Sequence, residues 1–574
     1  MPIHNADIAA IFDEIADLLE IEGANPFRVR AYRNAARTIQ ALGPDLRTLI
    51  EKGEDATRIP GIGKDLAAKI KEIIDTGTCK ALKELHRRVP AALAALLKIP
   101  GLGPKRVHIL YKELGINTPK QLHRAVRDGR IRDLPGFGEK TERHILGALE
   151  AHQEKKRRFV LAVAAQYAEP LVEYLKQTVG VKHVDVAGSY RRRKETVGDL
   201  DILATASGGS PAMDRFRAYD EVREVVSKGS TRSTVILKCG LQVDLRVVDK
   251  TSLGAALQYF TGSKAHNIAI RRLGQRRGLK INEYGVFKND RRVAGETEKS
   301  VYATVGLPHI APELRENRGE IEAARRGELP KLVQLSDLKG DLHVHTRASD
   351  GEGSLDEMVL AARDRGFQYL AITDHSKSLT VACGLDCRRL SVQIDEIDRL
   401  NEEIEGIHVL KGIEVDILED GGLDLPDAVL GKLDLVVGAV HRKFTLTRAK
   451  QTQRIVRAMN HPHFSILAHP SGRLIEERDA FDVDMIRVIR EARNRGCFLE
   501  LNAQPKRLDL IDRYCQVAKD EDVLITIDSD AHRPGGFDNL RFGVGQARRG
   551  WLEARHVLNT RPLRDVRKLL RRTI

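Results

Sequence analysis

The sequence predicts a multidomain protein: an α-helical N-terminal region, an α+β domain in the middle and an α/β barrel-like domain at the C-terminal end. Three observations carry this. The chain has 574 residues, room for several domains at roughly 100–200 residues each. Apolar residues recur at helical spacing through about the first 150 positions, then give way to short β-type runs. From residue 339 onward, apolar runs alternate with helical stretches, as in a parallel sheet wound with helices.

The composition is globular, with 42% hydrophobic and 31% charged residues, which excludes a mostly disordered chain. The six cysteines are scattered; only Cys383 and Cys387 lie close, with no second pair to complete a zinc site, so reduced thiols are expected. The start, MPIHNADIAAIFDEIADLLE, is acidic and amphipathic, unlike a signal peptide. No stretch approaches the ~18 uninterrupted apolar residues of a membrane span, so none is expected, and the reduced thiols fit a cytoplasmic protein. The net charge of +14 is unevenly placed. Residues 1–338 hold 58 Lys and Arg against 43 Asp and Glu, and residues 339–574 hold 37 against 38. The excess of +15 therefore lies in the N-terminal part and points to a polyanion partner there.

Taken in order, residues 1–85 read as short helices. Ile8, Ile11, Phe12, Ile15, Leu18 and Leu19 line one face of the first, and Arg28 to Leu42 is a second, basic one. Residues 86–150 continue helical between Gly-rich turns. Residues 151–250 form the α+β domain, with β-type runs VDVAGSY, DLDILAT, STVILK and LQVDLRVV. Residues 251–317 mix helix and short strands, and 318–338, polar with Pro330, read as a linker. Residues 339–574 carry the runs YLAITDH, HVLKGIEVDI, LDLVVGAVH, FSILAHP, CFLELNA and VLITIDSDAH.

Three segments repeat one turn: IPGIGKDLAAKI with Gly61 and Gly63, IPGLGPKRVHIL with Gly101 and Gly103, and LPGFGEKTERHIL with Gly136 and Gly138. The glycines permit a tight turn that offers backbone N–H groups at a helix N-terminus to a phosphate. The three copies resemble helix-hairpin-helix motifs, which hold the DNA backbone without reading sequence. Val107 and Glu142 depart from the motif's usual Ala in the second and third copies.

In GSYRRRKETVGDLDIL, Asp199 and Asp201 are two apart on an expected strand, so both side chains leave one face. Asp244 sits on a later strand, QVDLRVV. Three convergent carboxylates can hold two Mg²⁺ or Mn²⁺ ions for in-line displacement at phosphorus. Gly188 and Ser189 would donate to phosphate oxygens and Arg192 would add charge. This constellation resembles the nucleotidyltransferase palm of family X DNA polymerases, the group containing eukaryotic DNA polymerase beta, and YFTGSKAHNIAIRRL in a thumb-like region extends the match. The resemblance implies that Tyr259 and Phe260 flank the incoming sugar with Gly262 in the same turn. It places Asn267 at the base in the minor groove and Arg271 on the template side. Lys264 and Gln242 depart from the family's acidic residue and Arg at those positions. The N-terminal helices, including AYRNAARTI, resemble the family's lyase domain, which puts Lys69 at the position of a Schiff-base lysine. Such a lysine must be neutral to attack, so nearby cations such as Arg28, Lys64 or Lys71 are expected to lower its pKa; the other reading is a phosphate-binding lysine.

The C-terminal domain gathers His343, His345, Asp350, His375, Glu414, His441, His469, Asp530 and His532 at or just after the ends of strand-like runs. That is the rim where barrels place their sites, and histidine with carboxylate suits Zn²⁺, Mn²⁺ or Fe²⁺. Asp374 could orient His375. The pattern resembles the PHP (polymerase and histidinol phosphatase) domain, a distorted (β/α)7-type barrel. By resemblance, one metal takes His343, His345, Glu414 and Asp530, a second Asp350, His375 and Glu414, and a third His441, His469 and His532.

The order of parts is that of bacterial family X DNA polymerases with a PHP domain. The resemblance implies a monomeric, nucleoid-associated enzyme that fills short gaps in repair by adding dNTPs to gapped or nicked duplex DNA. It also implies a PHP-domain 3′–5′ exonuclease or 3′-phosphoesterase. A non-catalytic DNA-end-binding scaffold, and a nuclease whose polymerase part only positions DNA, are the competing readings.

Overall fold

The computed structural model describes residues 5–571 apart from 41–45, 47–49, 51–54, 60, 90–92, 94, 95, 98, 100, 101, 140, 143, 144, 147, 148 and 150–157. They fall into two compact units, Met1–Arg158 with Asn317–Gly319, and Phe159–Glu316 with Glu320–Ile574.

The first unit is helical. Asn5–Ile21 buries Ile8, Phe12, Ile15 and Leu19 against Tyr32, Ala36 and Ile39 of Pro26–Gln40. Phe12 and Tyr32 meet edge to face at 5.4 Å. The second helix starts at Pro26, earlier than expected, because the Asn25 side chain accepts the Phe27 N–H and Pro suits a first turn. Lys64–Thr76, Lys80–Arg88, Pro104–Leu114 and Pro119–Arg127 follow. One apolar cluster runs from Ile8 to Leu149, so a boundary at residue 85 divides no two cores.

The second unit begins with a five-stranded sheet in the order Val181–Val186, Asp199–Ala206, Gln242–Val247, Arg232–Leu237, Val222–Ser227. Asp199–Ala206 and Gln242–Val247 run parallel and the other pairs antiparallel. The helix Leu161–Lys176 buries Ala164, Ala168 and Leu171 in the cluster that holds Leu200, Ile202 and Val243. Helices Leu253–Thr261 and Lys264–Arg276 and a three-stranded antiparallel sheet over 280–294 close around Ile270, Val286, Val301 and Tyr302.

The stretch 318–338, read as a polar linker, is packed over part of its length. Glu320–Arg326 is a helix whose Ile321 and Ala324 join that last cluster, as does Leu332, while Val333 is fully buried in the barrel core. Its apolar side chains at helical spacing have a surface to cover, and that outweighs its polar composition.

The rest forms parallel strands Gly340–Val344, Tyr369–Ile372, His408–Lys411, Glu414–Asp416, Val437–Ala439, Ile466–Leu467, Phe498–Asn502 and Ile525–Asp528. His408–Lys411 pairs with the strand before it and Glu414–Asp416 with the strand after, so they act as one strand broken at Gly412 and Ile413. That gives seven strand positions, the distorted barrel expected. Bridges Val344–Ala531 and His375–Glu414 join the two sheets. No helix among the described residues is long and apolar enough to cross a membrane.

Candidate functional sites

In the first unit, Gly61 and Gly136 adopt φ of +84° and +82°, a region that disfavours side chains. Gly63 and Gly103 are the N-caps of Lys64–Thr76 and Pro104–Leu114, and neither offers a side-chain cap. A Cβ at Gly61, Gly63, Gly103, Gly136 or Gly138 would meet nothing within 4 Å, so the described turns face open space. Gly101 lies outside the described residues. In the third copy, Glu142 is buried and pairs with Arg132 at 2.9 Å. Lys69 departs from the expectation. Burial would lower its pKa, but a hydrogen bond from Nζ to Asp65 and the proximity of Tyr32 raise it. Its nearest partner is an acid one helical turn away rather than a cation, so the amine is held charged.

In the palm, parallel pairing sets Asp201 beside Asp244 and Asp199 beside Gln242. Burial, then the charges of Asp199 and Asp244, push the Asp201 carboxyl up to about 7. Carboxylates crowded this way are short of positive charge, which a divalent cation supplies. Asp244 accepts from Thr234 Oγ1 at 2.6 Å, Gln242 Nε2 at 2.8 Å and Arg232 Nη2 at 3.3 Å. A guanidinium thus reaches Asp244 from the neighbouring strand although residue 242 is Gln. Gly188 has φ +63°, and a Cβ there would sit 2.8 Å from Asp201 Oδ2, so only glycine lets the Gly188–Arg191 turn lie on the triad with Ser189 beside it.

The following turn is tied to its own helices. Asn267 Nδ2 donates to the Tyr259 carbonyl at 2.6 Å, and Gln258 Nε2 donates to Asn267 Oδ1 at 2.8 Å. Phe260 packs edge-on to Tyr259, with Arg246 4.3 Å above its ring. Arg192 donates to the Thr261 carbonyl, beside Gly262, and to Glu316. Arg271 is exposed on Lys264–Arg276.

In the barrel, the nine candidate ligands converge at the strand ends. Three groups have ligand atoms within 4.8 Å of one another: His345, Asp350, His375 and His532; His343, His345 and Asp530; and His375, Glu414 and His441. Glu414 is central, 3.4 Å from His343 Nε2, 2.8 Å from His375 Nδ1, 3.3 Å from His441 Nε2 and 3.0 Å from His469 Nε2. His532 stands with Asp350 (3.4 Å) and stacks on His345 at 4.2 Å, not with His441 and His469 as expected. Barrel closure decides this, because the last strand lies beside the first.

Burial would raise Glu414, but His375, His343 and His441 hold it well below the carboxylate range. Burial would lower His375, yet Glu414 and Asp350 lift it to about 10. Burial with His375 and His532 pushes His345 down to about 4, and burial with Arg507 pushes His469 to about 3. His343 Nε2 and both ring nitrogens of His345 are buried without a hydrogen-bond partner. Orphaned buried nitrogens converging on carboxylates are the donor set of a metal centre, where cations replace the protons.

Several orienting groups were not foreseen. Glu500 accepts from His343 Nδ1 at 2.7 Å and from the His469 N–H at 2.6 Å, and Asp416 binds His441 Nδ1 at 2.6 Å. A lone acid inside CFLELNA and the second acid of GIEVD were the available signals. Asp374 is taken up by Thr346, Ser349 and Gln393, so it braces the loop after His345 rather than His375.

Family models match in sequence order: Helix-hairpin-helix domain over 3–79, SAM-like Helix-hairpin-helix tandem over 93–151, DNA polymerase beta thumb over 256–316 and PHP domain over 341–529. DNA polymerase lambda of Rattus norvegicus is 26% identical over 345 residues, 54% of this chain and 56% of its own. A probable phosphatase of Thermoanaerobacter sp. (strain X514) is 30% identical over 213 residues, 35% of this chain and 81% of its own. DNA polymerase/3′-5′ exonuclease PolX of Bacillus subtilis (strain 168) is 40% identical over 577 residues, 99% of this chain and all of its own. Matched from end to end at that identity, with the thumb and PHP models in their places, the chain belongs to the PolX family, the family X DNA polymerases that carry a PHP domain.

Proposed function

We propose that Asp199, Asp201 and Asp244 are the polymerase's catalytic carboxylates and that the nine barrel residues are its nuclease metal ligands. Gap filling on gapped or nicked duplex DNA with dNTPs, by a monomer on the cytoplasmic nucleoid, completes the reading. The observation that carries it is the pairing of Asp201 with Asp244 beneath a glycine turn that admits no Cβ. Bound to these carboxylates, two Mg²⁺ or Mn²⁺ ions would activate a 3′-hydroxyl and offset charge on the triphosphate. The Gly188–Ser189 turn donates to phosphate oxygens, and Arg192 carries charge beside it. Tyr259 and Phe260 wall the sugar, Gly262 lets Arg192 approach, Asn267 holds that wall in register, and Arg271 faces template. In the barrel, Zn²⁺, Mn²⁺ or Fe²⁺, up to three ions, would polarise the scissile phosphodiester. Glu500 and Asp416 keep the second nitrogens of His343 and His441 occupied, which orients both rings. The hairpin glycines Gly61, Gly63, Gly103, Gly136 and Gly138 hold the DNA backbone, and Gly101 is the equivalent glycine of the sequence repeat. Lys69, held charged by Asp65, fits a phosphate contact better than a Schiff-base nucleophile.

The test separates the two sites on gapped DNA. Asp199→Ala with Asp201→Ala abolishes primer extension and spares Mn²⁺-dependent 3′ trimming, while His343→Ala does the reverse. Synthesis retained in the double Asp variant refutes the palm assignment.

A further inference from the structure

The turn assigned to the triphosphate is held from the barrel side. Phe542 and Leu508 of the barrel sit in the palm's apolar cluster, 4% and 1% exposed. The helix Leu540–Arg549 comes so near that a Cβ at Gly545 would lie 3.2 Å from Arg193 Cβ. At the helix end, the Arg549 side chain is 3% exposed. Its Nη1 donates to the Arg192 carbonyl at 2.9 Å and to Glu316 Oε1 at 3.0 Å, and its Nη2 donates to Asp512 at 2.7 Å. Glu316 Oε1 also accepts Arg192 Nε at 3.0 Å. Two arginines thus share one carboxylate, and Asp512 completes a set of two cations and two anions. Arg192 in turn donates to the Thr261 carbonyl beside Gly262.

We propose that Arg549 is a positioning residue for nucleotide addition, fixing the Gly188–Arg193 turn by its bond to the Arg192 carbonyl and keeping Arg192 available by sharing Glu316. This rests on the reading of that turn as the triphosphate cradle. Without Arg549, Glu316 draws on Arg192 more fully, the turn loses a donor, and the local charge becomes more negative where a polyanion must bind.

The test uses the full chain on gapped DNA, with the nuclease rate of the same preparation as the fold control. Arg549→Met raises the dNTP KM about tenfold, the loss of roughly one charge-assisted hydrogen bond, with kcat and nuclease little changed. Adding Glu316→Gln to Arg549→Met restores the charge balance and returns much of the KM, which a merely structural role would not do. An unchanged KM in Arg549→Met overturns the proposal. So does a parallel fall of synthesis and nuclease in both variants. Arg192→Ala separates the premises: if it leaves KM unchanged, the cradle reading fails, and if it raises KM while Arg549→Met does not, only the role of Arg549 fails.

Discussion

Glu298 shows how much one buried charge can organise. Its carboxylate accepts from Arg191 at 2.7 and 2.9 Å and from the fully buried Arg315 at 2.6 Å, with His309 at 3.3 Å. Burial would raise its pKa, yet His309, Arg315 and Arg191 hold it well below the carboxylate range. A depressed carboxyl lends stability above its ordinary pKa of 4.5 and loses it as pH falls. Glu298→Gln leaves Arg315 buried without its counter-charge and should cost about 3–5 kcal/mol at neutral pH. Denaturant unfolding checks this, and the gap to the parent should narrow as pH drops below 4.5. No motif announces Glu298, because its partner Arg191 is 107 residues away. By contrast, Asp199 and Asp201 were legible because two residues on one strand face carry their own geometry.

At the scale of elements, the strand break at Gly412 is the informative one. A Cβ there would lie 2.8 Å from the Ile372 carbonyl oxygen and 2.9 Å from Thr373 Cγ2. The break passes the chain from one sheet to the other and delivers Glu414 to the centre of five imidazoles. Gly412→Ala should therefore displace Glu414 at a cost of about 1–3 kcal/mol of overpacking. Metal content after dialysis and the exonuclease rate should both fall, with primer extension retained. The apolar alternation from residue 339 announced the strands, but HVLKGIEVDI reads as one continuous run. Which neighbour each half pairs with is settled only by barrel closure.

At the scale of the molecule, the charge division has a measurable consequence. The +15 of residues 1–338 covers the hairpin turns and palm, while the barrel part is at −1. Binding to gapped duplex should weaken steeply with salt, log affinity falling by about 0.9 per phosphate contact per unit of log salt. A fluorescence titration over about 50–200 mM salt checks it, and a flat response would assign the basic excess to something other than DNA. The thumb-like region and barrel are also less separable than their composition suggests. Ile321, Ala324 and Leu332 pack with Val301 and Tyr302, and Val333 belongs to the barrel core.

The sequence by itself determined the candidate sites. The repeated glycine turns, the D-x-D with a later Asp and the histidines at strand ends are local patterns, and backbone geometry turns such patterns into shared faces and rims. Tertiary structure decided which groups share a partner. It moved His532 beside Asp350, gave His343 its Glu500, turned Asp374 away from His375, set Lys69 on an acid and joined Arg549 to Arg192. Apart from Lys69 and its acid, these pairings depend on groups distant in the chain meeting within hydrogen-bond or ion-pair distance. No local periodicity encodes such a meeting; the closure of the barrel and its docking on the palm do.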